Sequence, residues 1–491
     1  MANESRAEAV PTASRLAPTA AAAPASAGWA QPWLAWAEAW STQALRLDVW
    51  GAAAGDAGSS RRRQDERLRA LLAAAWQGSP LYRRLWGARS APPAALAGLP
   101  VVDKPTLMAA FDDWVTDPAL TLAGVRAFMA DTGRAGDAFL GHYAVWESSG
   151  SRGVPGVFVQ DAAALAVYDA LEATRRAPAD PLARWADPLY LGERIAFVGA
   201  TDGHFATHAS VQRMRRLAPW ATRQWRSFSI LQPLPALGAA LDAFQPTIVA
   251  TYPTAAALLA AEQRAGRLAI APREVWTGGE TLGPAVRGAV ERAFGCTLRN
   301  SYGASEFLPI AWECPQHALH VNADWVILEP VDKCHQPVTP GTLSHTVLLT
   351  NLANRVQPLV RYDLGDRLRM PATPCRCGSA LPVIEVLGRC DDVLQLRGRG
   401  GAPVALLPLA VSTVLEDDAG VFDFRLEQTG AASLRLRVAA ADPACARQAG
   451  EVLRAQGARL DAAATADGVL RLLPHRDDCD GFFAVRWERP K

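Results

Sequence analysis

Lysine is almost missing from this 491-residue chain: Lys104, Lys333 and Lys491 are the only ones, although Lys and Arg together number 50. Any step that needs a lysine ammonium must draw on one of those three positions. A charge excess of either sign is missing too. Against 49 acidic residues the formal charge is +1, too small to draw in nucleic acid or an anionic membrane. No run of about 18 strongly apolar residues occurs, so no membrane-spanning helix is expected. The opening is polar, then rich in Ala, Pro and Ser through Gly28, and it lacks the apolar core of a secretory signal. It reads as a disordered tail over residues 1–28. Several of the 8 cysteines fall between Cys314 and Cys390 instead of forming a secreted disulfide framework. No internal repeat is visible. The expectation is a soluble, cytoplasmic protein with no nucleic-acid and no membrane partner.

What is present is globular: 50% of residues are hydrophobic and 20% charged, in a chain too long for one ordinary core. Trp29, Trp33, Trp36 and Trp40 share one face of an expected helix, which docks on the protein's own body, on a partner or, ranked last for want of a strongly basic opposite face, on a membrane. Residues 51–60 read as a linker, so 29–60 is taken as a helix and linker. From Arg61 helix and strand patterns alternate. Ile195-Ala196-Phe197-Val198-Gly199, Thr247-Ile248-Val249-Ala250 and Glu274-Val275-Trp276-Thr277 are buried-strand candidates, each followed by turn residues. This alternation implies an α/β fold: a large domain of mixed or parallel sheets over 61–387, then a small α+β domain over 388–491. Ligands in such sheets bind beyond the carboxyl ends of the strands, where the glycine-bearing turns fall.

Three strings carry candidate chemistry. Ser148-Ser149-Gly150-Ser151-Arg152-Gly153 follows the strand-like Tyr143-Ala144-Val145-Trp146. Small residues let backbone N–H groups approach phosphate oxygens, the hydroxyls add donors, and Arg152 adds charge. It reads equally as an ordinary glycine turn, and no Gly-Lys-Ser/Thr closes it as a Walker A loop. In Ser301-Tyr302-Gly303-Ala304-Ser305-Glu306 the tyrosine ring suits stacking on a purine or aryl acid, and Glu306 suits Mg²⁺. By itself that string is also a surface turn. In Arg361-Tyr362-Asp363-Leu364-Gly365-Asp366 the last acid can accept ribose hydroxyls, with Asp363 as the spare candidate. Gly278-Gly279-Glu280 supplies a further turn. Cys314, His320, Cys375 and Cys377 make a closed Cys₃His set for a structural Zn²⁺, with His317 as an alternative to His320. Free buried thiols are the competing reading.

In this order the strings resemble the adenylate-forming superfamily, most closely the phenylacetate–CoA ligase-like branch that includes coenzyme F390 synthetase-related proteins. The likeness begins at Ser79-Pro80-Leu81-Tyr82-Arg83, passes through Leu99-Pro100 and Lys104, and covers most of the chain. It implies that 61–387 is an AMP-binding domain and 388–491 its lid. The serine/glycine loop would hold ATP phosphates, and Tyr302, Gly303 and Ser305 the nucleotide, with Ser305 in a threonine's place. Gly279 and Glu280 would lie beside adenine, Asp366 at the ribose and Glu306 on Mg²⁺. Gly388-Arg389-Cys390-Asp391-Asp392 matches the hinge motif, in which Arg389 meets the nucleotide and Asp391 is the pivot. The branch's zinc site matches Cys314, His320, Cys375 and Cys377. Two departures stand out. Arg152 and Val154 replace a threonine and the lysine before Pro155, and Phe482 occupies the place of the late lid lysine that assists adenylation.

Three functions follow as expectations. The first is an acid–thiol ligase that activates an aromatic or other small carboxylic acid with ATP, then passes the acyl group to CoA or the phosphopantetheine of an acyl carrier protein. The second is an ATP-independent acyltransferase between CoA and a carrier-protein thiol, for which Phe482 is no handicap. The third is a non-catalytic ligand-binding relative.

Overall fold

The structure is a computed structural model that describes residues 43–148, 155–176, 182, 192–201, 203–218, 222–389, 394–397, 403–406, 415, 424–430, 433–439, 469–474 and 482–488. The elements below belong to one compact unit, Leu45–Lys491.

A nine-stranded sheet organises this unit. Trp225–Ser229, Ile195–Gly199, Ile248–Thr251, Glu274–Thr277 and Thr297–Ala304 lie side by side and parallel. Helices Ala206–Leu217, Leu234–Phe244, Pro253–Arg264 and Pro284–Phe294 connect them in sequence. The parallel strands are apolar at successive positions because both faces are covered. Ala196, Val198, Val249, Val275 and Leu298 pack on one side with Leu237, Leu241, Leu259 and Val290 from the helices. Ile195, Trp225, Ile248 and Trp276 form a second cluster with Phe197, Met214 and Ala250. Strand residues alternate between the two clusters with period two, as a pleat requires. Proline at the first turn of Pro253–Arg264 and Pro284–Phe294, and Gly295 in the left-handed region (φ 62°), mark helix ends.

Beyond Thr297–Ala304 the sheet turns antiparallel through Phe307–Glu313, Leu319–Val321, Val383–Arg389 and Asp366–Arg369. A three-stranded sheet of Val326–Val331, Thr346–Asn351 and Leu359–Asp363 adjoins it, and the hairpin Ala144–Glu147 with Val157–Gln160 flanks the serine/glycine loop. Toward the C terminus the described residues form a two-stranded pair, Leu394–Arg397 with Pro403–Leu406. They also form a four-stranded antiparallel sheet in the order Phe424–Gly430, Ser433–Ala439, Phe482–Glu488, Val469–Pro474.

The α/β class with mixed and parallel sheets is as expected. The linker expected at 51–60 is not: helix continues through residue 54, breaks at Gly55 and Asp56, and resumes as Ala57–Gly78. Asp56 is the reason for the short break, since its carboxylate accepts the Ser59 N–H at 2.7 Å and caps the second helix. Asp48 on the first helix pairs with Arg63 at 2.9 Å and with Arg67, and Arg67 reaches the carbonyl of Asp324 at 2.6 Å. The Asp324 side chain is wholly buried and held by Arg175 at 2.7 Å. The tryptophan-striped segment before it lies outside the described residues. No helix among the described residues is long and apolar enough to cross a membrane.

Candidate active site

The hairpin of Thr297–Ala304 and Phe307–Glu313 carries the central carboxylate. Its backbones approach so closely at Gly303 that a Cβ there would stand 1.8 Å from the Leu308 carbonyl oxygen, so only glycine fits. The tip is clamped from outside: Trp146 Nε1 donates to the Ser305 carbonyl (2.8 Å) and Asn351 Nδ2 to the Glu306 carbonyl (3.0 Å). The Glu306 side chain is thereby turned inward, where the residue is 7% exposed and its Oε1 accepts the Tyr362 hydroxyl at 2.8 Å. Burial holds this carboxyl above the ordinary glutamate range, while the Tyr362 hydrogen bond and the charge of Lys104 act the other way.

Asp366 stands one turn away, after Gly365 (φ 75°) has reversed the chain. Tyr302 donates its hydroxyl to Oδ2 at 2.5 Å, and Arg389 Nη1 lies 3.2 Å from Oδ1. Arg389 also donates to the Leu364 carbonyl at 3.0 Å. A carboxylate oxygen accepts more than one hydrogen bond, which is the chemistry that receiving a ligand's hydroxyls requires. Burial, then the Asp366 charge, push the Tyr302 phenol well above its usual range. Asp363, the spare acid, is used elsewhere: it accepts the Gly365 N–H at 3.0 Å and the Thr346 hydroxyl.

A single cavity of about 1990 Å³ is lined by Ser148, Gly279, Glu280, Tyr302, Gly303, Ser305, Glu306, Asp366 and Arg389, so these expected site residues share one space. Ser149, Gly150, Ser151, Arg152, Gly153 and Asp391 lie outside the described residues. Gly279 adopts φ 82° beneath the Tyr252 ring, which is 3.3 Å from where its Cβ would be. Glu280 on the rim caps Pro253–Arg264, accepting the Thr254 N–H at 3.1 Å and its hydroxyl at 2.8 Å. Sequence reasoning missed Tyr252 and gave no role to Tyr362. A signal existed for Tyr252, which directly follows the parallel strand Ile248–Thr251. Trp276, Trp312 and Phe197 also line the cavity, with the Arg176 guanidinium 3.4 Å from the Trp276 ring centre and 4.4 Å from that of Trp312.

A second cluster forms where Leu319–Val321 pairs with Val383–Arg389. The ligand atoms of Cys314, His320, Cys375 and Cys377 lie within 4.8 Å of one another. Cys314 and Cys375 sulfurs are 3.8 Å apart, matching the edge of about 3.8 Å of a tetrahedron with Zn–S bonds of about 2.3 Å. His320 gives its Nδ1–H to the Leu381 carbonyl at 2.9 Å, which leaves the Nε2 lone pair facing the Cys377 sulfur at 3.2 Å. Such a backbone partner orients metal-binding histidines generally. The residues present therefore fit a closed Cys₃His site. His317 is not part of it: Nδ1 points to Glu313 at 3.6 Å and the side chain is 53% exposed.

The mixed sheet is that of solved adenylate-forming enzymes, and the chain carries that fold. Solved structures of 2-hydroxyisobutyryl-CoA ligase match it. The postadenylation complex with an acyl-AMP aligns over 84% of this chain and 85% of its own, with a TM-score of 0.61 at 20% identity. The open conformation bound to 2-HIB-AMP and CoA gives 0.57 at 18% identity, covering 84% and 94%. In sequence, the phenylacetate-coenzyme A ligase of Thermus thermophilus is 30% identical over 183 residues, which is 35% of this chain and 39% of that protein. Protein CapK of Staphylococcus aureus is 28% identical over 152 residues, 30% of this chain and 32% of its own length. The matched parts thus span well under half of these curated relatives. No protein-family model matches the chain.

Proposed function

We propose that this protein is an acid–thiol ligase of the aryl–CoA ligase type. It activates a small carboxylic acid with ATP and passes the acyl group to the thiol of CoA or of a carrier protein's phosphopantetheine. The observation that carries this reading is the pair of linked contacts, Tyr362–Glu306 and Tyr302–Asp366–Arg389, opening into one cavity with Ser148. Asp366 holds the ribose, Gly279 and Glu280 border the adenine with Tyr302 and Tyr252, and the loop that Ser148 begins receives the phosphates. Mg²⁺ bound at Glu306 would neutralise phosphate charge. Trp276, Trp312 and Phe197 favour an aromatic acid. Residues 388–491 act as a lid pivoting at Asp391, so that adenylation and thiol transfer use one cleft in turn. Zn²⁺ at Cys314, His320, Cys375 and Cys377 is structural, because four protein ligands leave no open position. The resemblance to CoA ligases and the acyl-AMP complexes of the matched fold support the same chemistry.

The test is exchange of labelled pyrophosphate into ATP, with Mg²⁺ and a panel of aryl and short hydroxy acids. Acid-dependent exchange is expected, and its absence across the panel sinks the reading. Phe482 in place of a lysine favours the second reading, acyl transfer from an acyl-CoA to a carrier thiol. Carrier loading from acyl-CoA without ATP would identify that activity.

A further inference from the structure

Among the described residues, five arginines line the cavity that holds Glu306 and Asp366. Four of them are paired: Arg176 with Glu172 at 2.8 Å, Arg213 with Asp169 at 2.6 Å, Arg389 with Asp366 at 3.2 Å, and Arg287 with Glu313. The fifth, Arg46, makes neither an ion pair nor a hydrogen bond with any described residue. It is half-buried, and its Nε is shut off from water without an acceptor. Arg46 also precedes Ser79, where the likeness to adenylate-forming proteins begins, so that resemblance assigns it no role.

Its placement follows from a chain of ion contacts. Asp48, on the same helix, pairs with Arg67 and with Arg63 at 2.9 Å. Arg67 donates to the Asp324 carbonyl at 2.6 Å, and the Asp324 carboxylate holds Arg175 at 2.7 Å. Arg175 ends the helix Ala162–Arg175 and Arg176 follows it, so the helix of Arg46 is fastened beside that C-terminal turn. Leu165, Asp169, Glu172 and Arg176 lie at steps of four, three and four, on one helix face, and all line the cavity. This face looks onto the sheet, where the Arg176 guanidinium lies over Trp276 and Trp312. The branch of the cavity between them is aromatic on the sheet side. The carboxylates on its helix side are already neutralised by Arg176 and Arg213, which leaves Arg46 as an uncompensated cation. A planar guanidinium partly withdrawn from water gains most from an anion that accepts two of its N–H groups, as a carboxylate does.

We propose that Arg46 is a specificity-determining residue: the acid taken by this cleft carries a second carboxylate at the end away from the one activated, and Arg46 receives it. This rests on the ligase reading above and narrows its substrate to aryl acids with two carboxylates. The ring lies along Trp276, Trp312 and Phe197, the first carboxylate faces the nucleotide, and the second meets the guanidinium. Glu172 and Asp169 keep their own partners and do not compete for Arg46. A monoacid forgoes a charge-assisted contact and leaves the cation uncompensated, which is the source of discrimination. The phosphate of phosphopantetheine is the other anion that a guanidinium would receive, and the test separates the two.

Pyrophosphate exchange by the full chain is measured with phenylacetate, its ring-carboxylated derivatives and its ring-aminomethylated derivatives. In the parent, kcat/KM should be at least about tenfold higher for a carboxylated acid than for phenylacetate. Arg46→Met should abolish that preference, and Arg46→Lys should keep part of it. Arg46→Glu should turn the preference toward an aminomethylated acid, a gain that also shows the variant is folded. Equal losses for all acids, as a merely structural role predicts, would overturn the proposal, as would a parent that prefers phenylacetate. A higher KM for CoA in Arg46→Met, with the acid preference intact, would assign the guanidinium to the phosphate and overturn it too. Titration calorimetry of the same acids without ATP separates this proposal from the reading beneath it. A binding preference that Arg46→Met removes, with no exchange for any acid, would support the subsite and overturn the ligase reading. Exchange without any preference would overturn the subsite alone, and neither binding nor exchange would overturn both.

Discussion

Glu306 is a carboxylate kept where water would not leave it. A group whose folded pKa is raised gives stability that is complete below its unfolded value and is lost as pH rises through the folded one. Without metal and nucleotide, Glu306 is therefore a cost to the fold above its raised pKa. Glu306→Gln should raise the thermal midpoint of the ligand-free protein at alkaline pH and leave it unchanged at pH below the ordinary glutamate range. The same variant should lower pyrophosphate exchange by about 100-fold or more, since the proposed ligand for Mg²⁺ would be gone. In the parent, protons compete with Mg²⁺ as pH falls, so the Mg²⁺ concentration for half-maximal exchange should rise. Gly303 offers a purely steric counterpart. Gly303→Ala drives a methyl into the Leu308 carbonyl and should cost about 1–3 kcal/mol, read from denaturant unfolding.

At the scale of elements, the Cys₃His cluster ties a tight turn to a strand that matters. Cys375 and Cys377 sit just before Val383–Arg389, the strand that ends in Arg389 and so in the contact to Asp366. Purified protein should hold zinc near one per chain. Cys375→Ser should lose it and unfold at lower temperature, and a chelator should lower the parent's midpoint toward the same value. Either a metal-free parent or an unaffected variant would contradict a structural site. Elements also show how far local pattern carries. The buried strands at 195–199, 248–251 and 274–277 were legible because apolar runs bounded by turn residues have one reading in a parallel sheet. The helical character of 51–60 was not, since its Gly, Ala and Ser composition resembles a linker. The contacts of Asp48 with Arg63 and Arg67 that tether this segment are invisible along the chain.

For the molecule as a whole, the cavity couples ligand to stability. A ligand that binds only the folded chain stabilises it by about 2.7 kcal/mol at a hundredfold excess over Kd. Mg·ATP should therefore raise the thermal midpoint by an amount that grows with the logarithm of its concentration. Asp366→Ala, which removes the oxygens that Tyr302 and Arg389 hold, should abolish most of that rise. An equal shift in parent and variant would place the nucleotide elsewhere.

Residue type and spacing alone determined the α/β class, the candidate carboxylates Glu306 and Asp366, and the Cys₃His set, because each depends on periodicity or on donor chemistry that survives unfolding. Which acid joins the Tyr302 network, which histidine faces the sulfurs, and that Tyr362, Tyr252 and Lys104 belong to the same space were decided only on folding. Tyr302 and Asp366 are 64 positions apart and Glu306 and Tyr362 are 56, so no local pattern links them. Only the assembled sheet, paid for by burial of its apolar faces, brings such distant groups within hydrogen-bonding reach.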